Sequence, residues 1–372
     1  MAGSIAKRPD GRWRARYRDR AGKEHARHFT RKVDAQAWLD DVTTAKATGT
    51  YVDPQQARTT VAVVVESWLA AHPDWTESTR VRNQSIVDRH IRPTWENVKL
   101  GDIDHDQLQT WVGKLVDSGA AGGTVRKVAG VMNGILGQAV LSKKLAVNPM
   151  TGVRLPKQAL APRRYLTGVQ VEQLAAAAGD DSLTVLVLAY CGLRIGELAA
   201  LRVKHVDMLR KRFRVEESVT EVNGALVWSS PKDHQRRSVP FPDFLTKDVG
   251  ALLKGRAPDD LLFPAPRGGA LRVRNMRRSW FDAAAKVAGV AGLTPHELRH
   301  TAASLAVSAG ASVLALQRML GHEKPSVTLD VYADLFDEDL DQVADSLHTA
   351  RSGYVADYLR TRDEKRLAIV GS

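Results

Sequence analysis

The forty residues from 293 to 332 place the tightest limits on the fold and chemistry of this chain. Thr294 precedes Pro295, and Glu297 follows three residues after Thr294, a pattern that predicts a helix N-terminus closed by a capping box. A second helical run ends at Gly321, in the position of a glycine C-cap. The same stretch contains arginine, three histidines and a tyrosine. Such a set is suited to holding a phosphate between cationic donors while a phenol attacks it.

The residues from His296 to His300 also match H-E-x-x-H, in which two histidines one helical turn apart bind zinc and the glutamate acts as base. Two features argue against zinc here. Glu297 is already needed for the helix cap, and Arg299 would place a cation beside the metal, which repels it. The sequence therefore favours a site that uses neither a metal nor a cofactor.

Two other cationic motifs lie upstream. C-G-L-R-I-G-E-L surrounds Arg194, and S-S-P-K-D-H-Q-R-R-S-V-P surrounds Lys232. The remaining motifs are His296-x-x-Arg299, Gly321-His322 and Tyr332. In order and spacing the set resembles the tyrosine recombinase (phage integrase) family, in its lambda-integrase-like form with an N-terminal arm-binding domain. The resemblance covers roughly residues 163–347.

The resemblance implies this catalytic set: Arg194, Lys232, His296, Arg299, His322 and Tyr332. Tyr332 would attack the phosphate to give a 3′-phosphotyrosine and a free 5′-hydroxyl. Arg194 and Arg299 would hold the non-bridging oxygens through fork-shaped, charge-assisted hydrogen bonds, which lysine could not copy. Glu197, one helical turn after Arg194, is placed to hold that guanidinium by a salt bridge.

Proton transfer falls to the other members of the set. The resemblance implies that Lys232 protonates the leaving 5′ oxygen, while His296 handles the tyrosine proton. His322 would hydrogen-bond the phosphate. Lys204 and Lys211 lie in the same domain and remain alternatives to Lys232.

Tyr332 has rivals in Tyr354 and Tyr358 farther along the chain. We prefer Tyr332 as nucleophile because it lies ten residues after His322, within the interval usual in the family. His300, by contrast, is expected to be a structural histidine that packs beside its neighbour.

The formal charge of +12 and the pI of about 9.8 indicate a polyanionic partner. Residues 321–350 differ from the rest in carrying a net charge of −7, so this segment is expected to face away from DNA. The single Cys191 excludes an internal disulfide and has apolar neighbours, which suggests a buried thiol. The chain starts without an apolar signal core and has no apolar run long enough for a bilayer. We therefore expect a cytoplasmic protein, associated with the nucleoid of a bacterial host cell, and no membrane partner.

Residues 1–55 are predicted to form an arm-type DNA-binding domain. Between Gly11 and Phe29, aromatic and small side chains alternate with arginines, which predicts a β-hairpin with one cationic face. A helix over residues 32–48 would cover the other face. No acidic residue interrupts this row of arginines in the sequence, so the row is expected to reach phosphates and guanine edges in the major groove. Its members are Arg12, Arg14, Arg16 and Arg18.

Residues 60–153 have helical periodicity and predict about four helices, one of them capped by Ser78. This part resembles the all-helical core-binding (SAM-like) domain of the family. Its cations near helix ends are expected to touch the DNA backbone. They include Arg80, Arg82, Arg126 and Lys127.

Residues 163–350 are predicted to form a mainly helical catalytic domain with a three-stranded antiparallel sheet. Its strands are expected over residues 212–222, 225–229 and 236–241. Asn223-Gly224 is a strong two-residue hairpin turn. Residues 351–372 form a C-terminal tail, which in the family docks on a neighbouring protomer. The fold class expected for the whole chain is multidomain α+β.

The resemblance implies an integrase that joins a phage-like element to a chromosome or excises it. Its partners would be double-stranded DNA at core and arm sites, three further copies in a homotetramer on synapsed DNA, a host DNA-bending protein and a directionality factor. Strands would exchange through a Holliday junction. A type IB topoisomerase, which acts alone on one strand, is an alternative. A DNA-binding regulator without the chemistry is another, although the complete residue set argues against it.

Overall fold

The computed structural model describes residues 3–19, 22–158, 163–230, 236–333, 345, 347–356 and 358–360. The chain divides into two compact units, Met1–Ala161 and Pro162–Ser372, called the N-terminal and C-terminal units below. The fold is multidomain α+β, as the sequence predicted. In the described part of the chain, we find no helix with the length and apolar character needed to span a bilayer.

The N-terminal unit begins with a small antiparallel sheet in the order β1-β2-β3, covered on one side by a helix. These elements are β1 Ser4–Lys7, β2 Trp13–Arg18, β3 Glu24–Phe29 and α1 Lys32–Thr48. Ala15 and Tyr17 of β2 are buried against Ala35 and Leu39 of the helix. Because side chains alternate along a strand, the arginines of β2 are left on the opposite face. The predicted hairpin and helix are confirmed, and β1 adds a third strand.

The rest of this unit is helical and shares one apolar core. The helices are α2 Val61–Ala70, α3 Glu77–Ile86, α4 Arg92–Trp95, α5 His105–Asp117 and α6 Gly122–Leu141. Trp68, Trp95 and Trp111 are buried in that core. The prediction that Ser78 caps α3 is wrong, because the cap is Thr76, whose hydroxyl accepts a hydrogen bond from the amide of Thr79 at 3.3 Å.

The C-terminal unit is mainly helical and built around α8. Apolar side chains lie around most of this helix, so it can pack against α7 and α13 at the same time. Its first helices are α7 Gly168–Ala177, α8 Ser182–Cys191, α9 Ile195–Ala200 and α10 Thr246–Leu253. The later ones are α11 Val273–Met276, α12 Asp282–Val287, α13 Pro295–Ser308, α14 Val313–Leu320 and α15 Pro325–Tyr332. Cys191 is fully buried at the end of α8, as predicted.

The strands of this unit form two sheets among the described residues, and not the single sheet expected. The three-stranded antiparallel sheet has the order β4-β5-β8, and β6 pairs with β7 separately. Their bounds are β4 Val206–Asp207, β5 Arg212–Val215, β6 Ser218–Val222, β7 Ala225–Ser229 and β8 Arg237–Pro240.

The strand predicted over 212–222 is thus two strands. Phe213 and Val215 pack into the main core, whereas Val219 packs with Ala199 and Ala200 in a smaller cluster beside α9, so the chain must turn between them. The predicted hairpin turn is confirmed. Asn223 and Gly224 both have positive φ, 49° and 80°, as a type I′ turn requires.

Candidate active site

An open cavity of about 410 Å³ in the C-terminal unit brings together most of the predicted catalytic residues. It is lined by Arg194, His296, Arg299, His300, Gly321, His322, Glu323, Val327, Val331 and Tyr332. Lys232 falls within 231–235, which lies outside the described residues. The other five members of the predicted set line this one cavity, although they come from four segments of the chain.

Two glycines with left-handed backbone bring these segments into contact. Gly192 ends α8 with φ 64°, and a Cβ there would lie 2.8 Å from a methyl group of Leu320. Gly321 ends α14 with φ 67°, and a Cβ there would lie 2.7 Å from Cδ of Arg237. Only glycine fits both the backbone conformation and the space. Arg194 and His322 therefore follow two helix ends that approach their neighbours closely.

Arg194 lies at the start of α9 and is held by a buried carboxylate. Its Nη1 donates to Oε1 of Glu197 at 2.9 Å, and its backbone amide donates to Oε2 at 2.8 Å. This is the salt bridge predicted from the sequence. Burial acts to raise the pKa of Glu197, but hydrogen bonds and charge from Arg237, with the charge of Arg194, lower it to about 2. Glu197 is therefore ionised at neutral pH and fixes the guanidinium.

Arg299 is buried, and its guanidinium bridges two helix ends. Nη1 donates to the carbonyl of Gly192 and Nη2 to the carbonyl of Leu320, both at 2.6 Å. Burial and the nearby charge of Arg194 lower the pKa of Arg299 to about 9, which still leaves it protonated at neutral pH. The two carbonyls fix the plane of a cation at the cavity wall.

His322 is held by a side chain that the sequence analysis missed. Its Nδ1 lies 2.9 Å from Oγ1 of Thr328, a buried hydroxyl on α15. Burial, followed by the charges of Arg299 and Arg194, lowers the pKa of His322 to about 4. The ring is therefore neutral at pH 7. With the Thr328 hydroxyl as donor, the ring proton sits on Nε2, where it can be donated to a phosphate oxygen.

Tyr332 ends α15 and is 1% exposed. Its hydroxyl lies 2.9 Å from Nδ1 of His300, and its ring is parallel to that of His322, with centroids 6.3 Å apart. Burial raises the pKa of Tyr332, while the charge of Arg299 acts in the opposite direction. The phenol is therefore protonated at neutral pH and needs a base to become a nucleophile.

His300 packs beside its neighbour, as predicted, and has a second contact that the sequence did not predict. The ring does pack beside His296, at 4.9 Å between centroids, but it also makes the hydrogen bond to the phenol. His296 is exposed as a residue, but its ring is partly enclosed, and this desolvation together with the charges of Arg299 and Arg194 lowers its pKa. A sequence signal was present, since His296 and His300 lie one turn apart on the same helix face.

The zinc alternative gains no support from this helix. Oε2 of Glu297 accepts the backbone amide of Thr294 at 2.6 Å, which is the cap predicted from the sequence. Nδ1 of His300 is engaged by the phenol. Among the described residues, the three side chains with ligand atoms close enough to share a metal are Asp19, His25 and Asp53, in the N-terminal unit.

The rival residues are not among those that line the cavity. Tyr354 and Tyr358 are 75% and 65% exposed. Lys204 pairs with Asp259 at 2.5 Å, and Lys211 pairs with Asp243 at 2.6 Å.

The predicted DNA-contacting arginines of β2 surround an acid that the sequence analysis did not place there. Glu24 of β3 lies opposite Arg18 in the register, and its carboxylate is 3.1 Å from Arg14, 3.7 Å from Arg16 and 4.0 Å from Arg18. The expectation of a row without an interleaved acid is therefore wrong in three dimensions, because the neighbouring strand supplies the acid. Arg12 is exposed and precedes the strand.

Three of the four cations predicted in the helical part donate hydrogen bonds within the protein. Arg80 and Arg126 donate to the carbonyls of His72 at 3.4 Å and Pro156 at 2.8 Å. Arg82 donates to the side chain of Asn83 at 3.3 Å and lines a cavity of about 260 Å³ together with Lys127. These contacts leave their role toward DNA a prediction.

Three family models match this chain. They are the phage integrase family over residues 164–339, the phage integrase N-terminal domain over residues 1–48 and the phage integrase N-terminal SAM-like domain over residues 60–116. Together they cover most of the sequence and follow the order of the predicted domains.

Named relatives extend over most of the chain. Tyrosine recombinase XerC of Ralstonia pickettii is 27% identical over 79% of this chain and 93% of its own length. The putative prophage phiRv2 integrase of Mycobacterium tuberculosis is 28% identical over 88% and 90%. The integrase of Mycobacterium phage L5 is 25% identical over 88% and 92%.

Solved structures share the fold at lower identity. The Tn1549 transposon integrase in complex with circular intermediate DNA has a TM-score of 0.65 and 17% identity, covering 74% of this chain and 95% of that one. A lambda integrase tetramer bound to a Holliday junction has a TM-score of 0.57 and 18% identity, covering 88% and 94%. With the family models and relatives, the chain belongs to the phage integrase family of tyrosine recombinases, enzymes of site-specific DNA recombination.

Proposed function

We propose that this protein is an integrase that cleaves and rejoins double-stranded DNA through a 3′-phosphotyrosine intermediate. The observation that carries the proposal is the single cavity in which Arg194, Arg299 and His322 lie beside the phenol of Tyr332. Two guanidiniums and an imidazole supply the positive charge and hydrogen bonds that a pentacoordinate phosphate needs in the transition state. The phenol supplies a nucleophile that can later act as a leaving group.

Each group has a separate task in the cleavage step. Arg194 and Arg299 bind the non-bridging oxygens of the scissile phosphate, and His322 donates a third hydrogen bond through Nε2. Oη of Tyr332 forms a bond to phosphorus as the bond from phosphorus to the 5′ oxygen breaks. Lys232, which lies outside the described residues, would protonate that oxygen. Clusters of perturbed pKa values such as those of His322, Arg299 and Tyr332 are typical of active sites.

The relatives suggest the biological context. Two of them are named as a prophage integrase and a phage integrase, and lambda integrase has been solved as a tetramer on a Holliday junction. By analogy, this chain would integrate or excise a phage-like element as a homotetramer on synapsed core sites. A host DNA-bending protein and a directionality factor would assist it.

We assign the steps of this reaction to four parts of the chain. Residues 1–55 would bind arm-type sites, residues 60–153 would bind the core site, and residues 163–350 would carry the chemistry. Residues 351–372 would dock on a neighbouring protomer. Matches of the separate family models to residues 1–48, 60–116 and 164–339 support this division.

The test is a suicide duplex, nicked so that the cleaved fragment diffuses away and the covalent adduct accumulates. Adduct is expected with the full chain and should map to Tyr332 by peptide analysis. Tyr332→Phe should lose the adduct and keep DNA binding, whereas Tyr354→Phe and Tyr358→Phe should keep both. An adduct that maps to Tyr354 or Tyr358 would contradict the site assignment. Relaxation of supercoiled DNA without paired sites would favour a type IB topoisomerase instead.

A further inference from the structure

We propose that His300 is the catalytic base that removes the phenolic proton of Tyr332 during DNA cleavage and returns it during rejoining. The inference rests on the proposed phosphotyrosine reaction and assigns a step of it to a residue outside the predicted set. It starts from the 2.9 Å separation between Nδ1 of His300 and Oη of Tyr332. This is the heavy-atom distance at which a proton passes directly between two groups.

The two side chains come from different helices that fix them independently. His300 lies in the middle of α13, directly after Arg299, whose guanidinium is tied to two backbone carbonyls. Tyr332 lies at the end of α15 and is enclosed by Ala303, Val307 and other apolar residues of one cluster. Burial keeps bulk water from the phenol. In the part of the chain that the structure describes, His300 is the hydrogen-bond partner of that hydroxyl.

Both groups are in the protonation states from which the transfer must start. Burial lowers the pKa of His300 to about 4, and the charges of His296, Arg163 and Arg299 act in the same direction, against Glu297. The imidazole is therefore neutral near pH 7 and has one nitrogen free to accept. The Nε2–H tautomer presents Nδ1 as that acceptor. Burial raises the pKa of the phenol, with Tyr165 adding to this and Arg299, Arg163 and Arg194 opposing it, so little phenolate is present near pH 7 unless a base takes the proton.

The proton and bond changes balance in both directions. In cleavage, the bond from Oη to phosphorus forms as the proton moves from Oη to Nδ1 of His300. The bond from phosphorus to the 5′ oxygen breaks, and that oxygen takes a proton from Lys232. In rejoining, the 5′-hydroxyl returns its proton to Lys232 and attacks phosphorus. The Nδ1 proton of His300 then passes to the departing phenolate oxygen.

This assignment leaves His296 with a different task. Its ring lies beside His300 and lines the cavity, while the contact to the phenol is made by His300. His296 is therefore placed to meet the phosphate and not the tyrosine proton. The two histidines share one helix and one type of side chain, so each is a matched control for the other.

Substitution at His300 separates a base from a residue that only positions the phenol. His300→Asn keeps a polar atom near the place of Nδ1 and can hold the hydroxyl, but it cannot take a proton; His300→Ala does neither. Single-turnover cleavage of the suicide duplex should fall about 10²–10⁴-fold in both variants, the usual contribution of a general base. DNA binding in gel shifts and the thermal unfolding of His300→Asn should match the unsubstituted chain. A full rate in His300→Asn would overturn the proposal.

The pH dependence of the cleavage rate separates a base from a positioning residue, because loss of a residue that only positions the phenol would leave that dependence unchanged. Without a base, cleavage must wait for spontaneous phenolate, so the rate of His300→Asn should rise about tenfold per pH unit between about pH 7 and 9. The unsubstituted chain and His296→Asn should stay nearly flat over that range. Parallel profiles in all three would also overturn the proposal. Rejoining by an added 5′-hydroxyl oligonucleotide should slow by the same factor as cleavage.

Failure of this inference is distinguishable from failure of the proposed function. If the unsubstituted chain forms no adduct at Tyr332, the phosphotyrosine reaction itself is wrong. If it forms that adduct and His300→Asn forms it equally fast with the same pH profile, only the role of His300 is wrong.

Discussion

Arg237 of β8 donates hydrogen bonds to both oxygens of the Glu197 carboxylate, from Nη1 to Oε1 at 2.8 Å and from Nη2 to Oε2 at 2.6 Å. Both side chains are buried, at 8% and 1% exposure. Nε of Arg237 also donates to the carbonyl of Met319 at 3.1 Å, at the end of α14. Because the same carboxylate holds Arg194, one ion pair links a strand, the helix end before His322 and a guanidinium of the cavity.

Removing one partner of this ion pair should lower the free energy of unfolding more than removing both partners. Arg237→Met leaves a buried carboxylate with only Arg194 to balance it, and such a loss typically costs about 3–5 kcal/mol. In Glu197→Leu/Arg237→Met no buried charge is left over from the pair, so the double variant should be more stable than Arg237→Met. Urea unfolding of the full chain measures both. Equal stability of the two variants would show that the pair is not coupled in this way.

Cleavage should fall in both of these variants, because each removes part of the support of Arg194. Restored stability without restored cleavage in the double variant is the expected pattern. The suicide-duplex rate of each variant checks it.

Acidification should destabilise the C-terminal unit in two successive pH ranges, one set by histidines and one by Glu197. His300 and His322 have pKa values lowered from 6.5 to about 4, so the unfolded chain binds protons first and stability falls as the pH drops from 6.5 toward 4. Glu197 has its pKa lowered from 4.5 to about 2, so its contribution is present above 4.5 and is lost as the pH falls toward 2. Urea unfolding at a series of pH values measures this.

Each pH range has its own control. His322→Asn should reduce the decline above pH 4 and leave the part due to His300, and Glu197→Gln should reduce the decline below 4.5. Neither variant should affect the other pH range. A decline that is unchanged in both would mean that other groups cause it.

A methyl group at Gly321 should disturb the site more than one at Gly310. Both glycines have left-handed backbone, with φ 67° and 83°, and alanine there costs roughly 1–2 kcal/mol. Gly310 has open space around its Cβ position, whereas at Gly321 a Cβ would collide with Arg237. Gly321→Ala should therefore lose more stability and also lose cleavage, while Gly310→Ala keeps cleavage. Equal behaviour of the two variants would contradict the tight contact.

The arginine face of β2 should bind arm-type DNA more tightly when its acid is neutralised. Glu24→Gln removes the charge that Arg14, Arg16 and Arg18 share, so the affinity should rise. Arg16→Ala should weaken binding and reduce the slope of log K against log salt by about 1. Arg31→Ala, which removes an exposed arginine paired with Asp34 beside α1, is the control. If Arg16→Ala and Arg31→Ala change binding alike, the sheet face is not the DNA surface.

Features that depend on neighbouring residues could be read from the sequence. The helix Lys32–Thr48 has the predicted bounds, Asn223-Gly224 makes the predicted turn, and Glu297 caps α13 through the amide of Thr294. Their physical cause is local, since backbone propensity, φ preference and capping act over a few residues. The motifs around Arg194, Arg299 and Tyr332 also predicted five of the side chains that line the cavity, although not His300.

Contacts between distant elements were decided only by the tertiary structure. Arg237 and Glu197 are 40 residues apart, and His300 and Tyr332 are 32 apart. Nothing in either local sequence specifies which carboxylate a guanidinium meets or which imidazole a phenol meets. Those choices follow from how α9, β8, α13 and α15 pack, and from the two glycines that let the helix ends approach. The sequence alone determined the chemical groups of the site, and packing determined their partners because side-chain contacts depend on position in space.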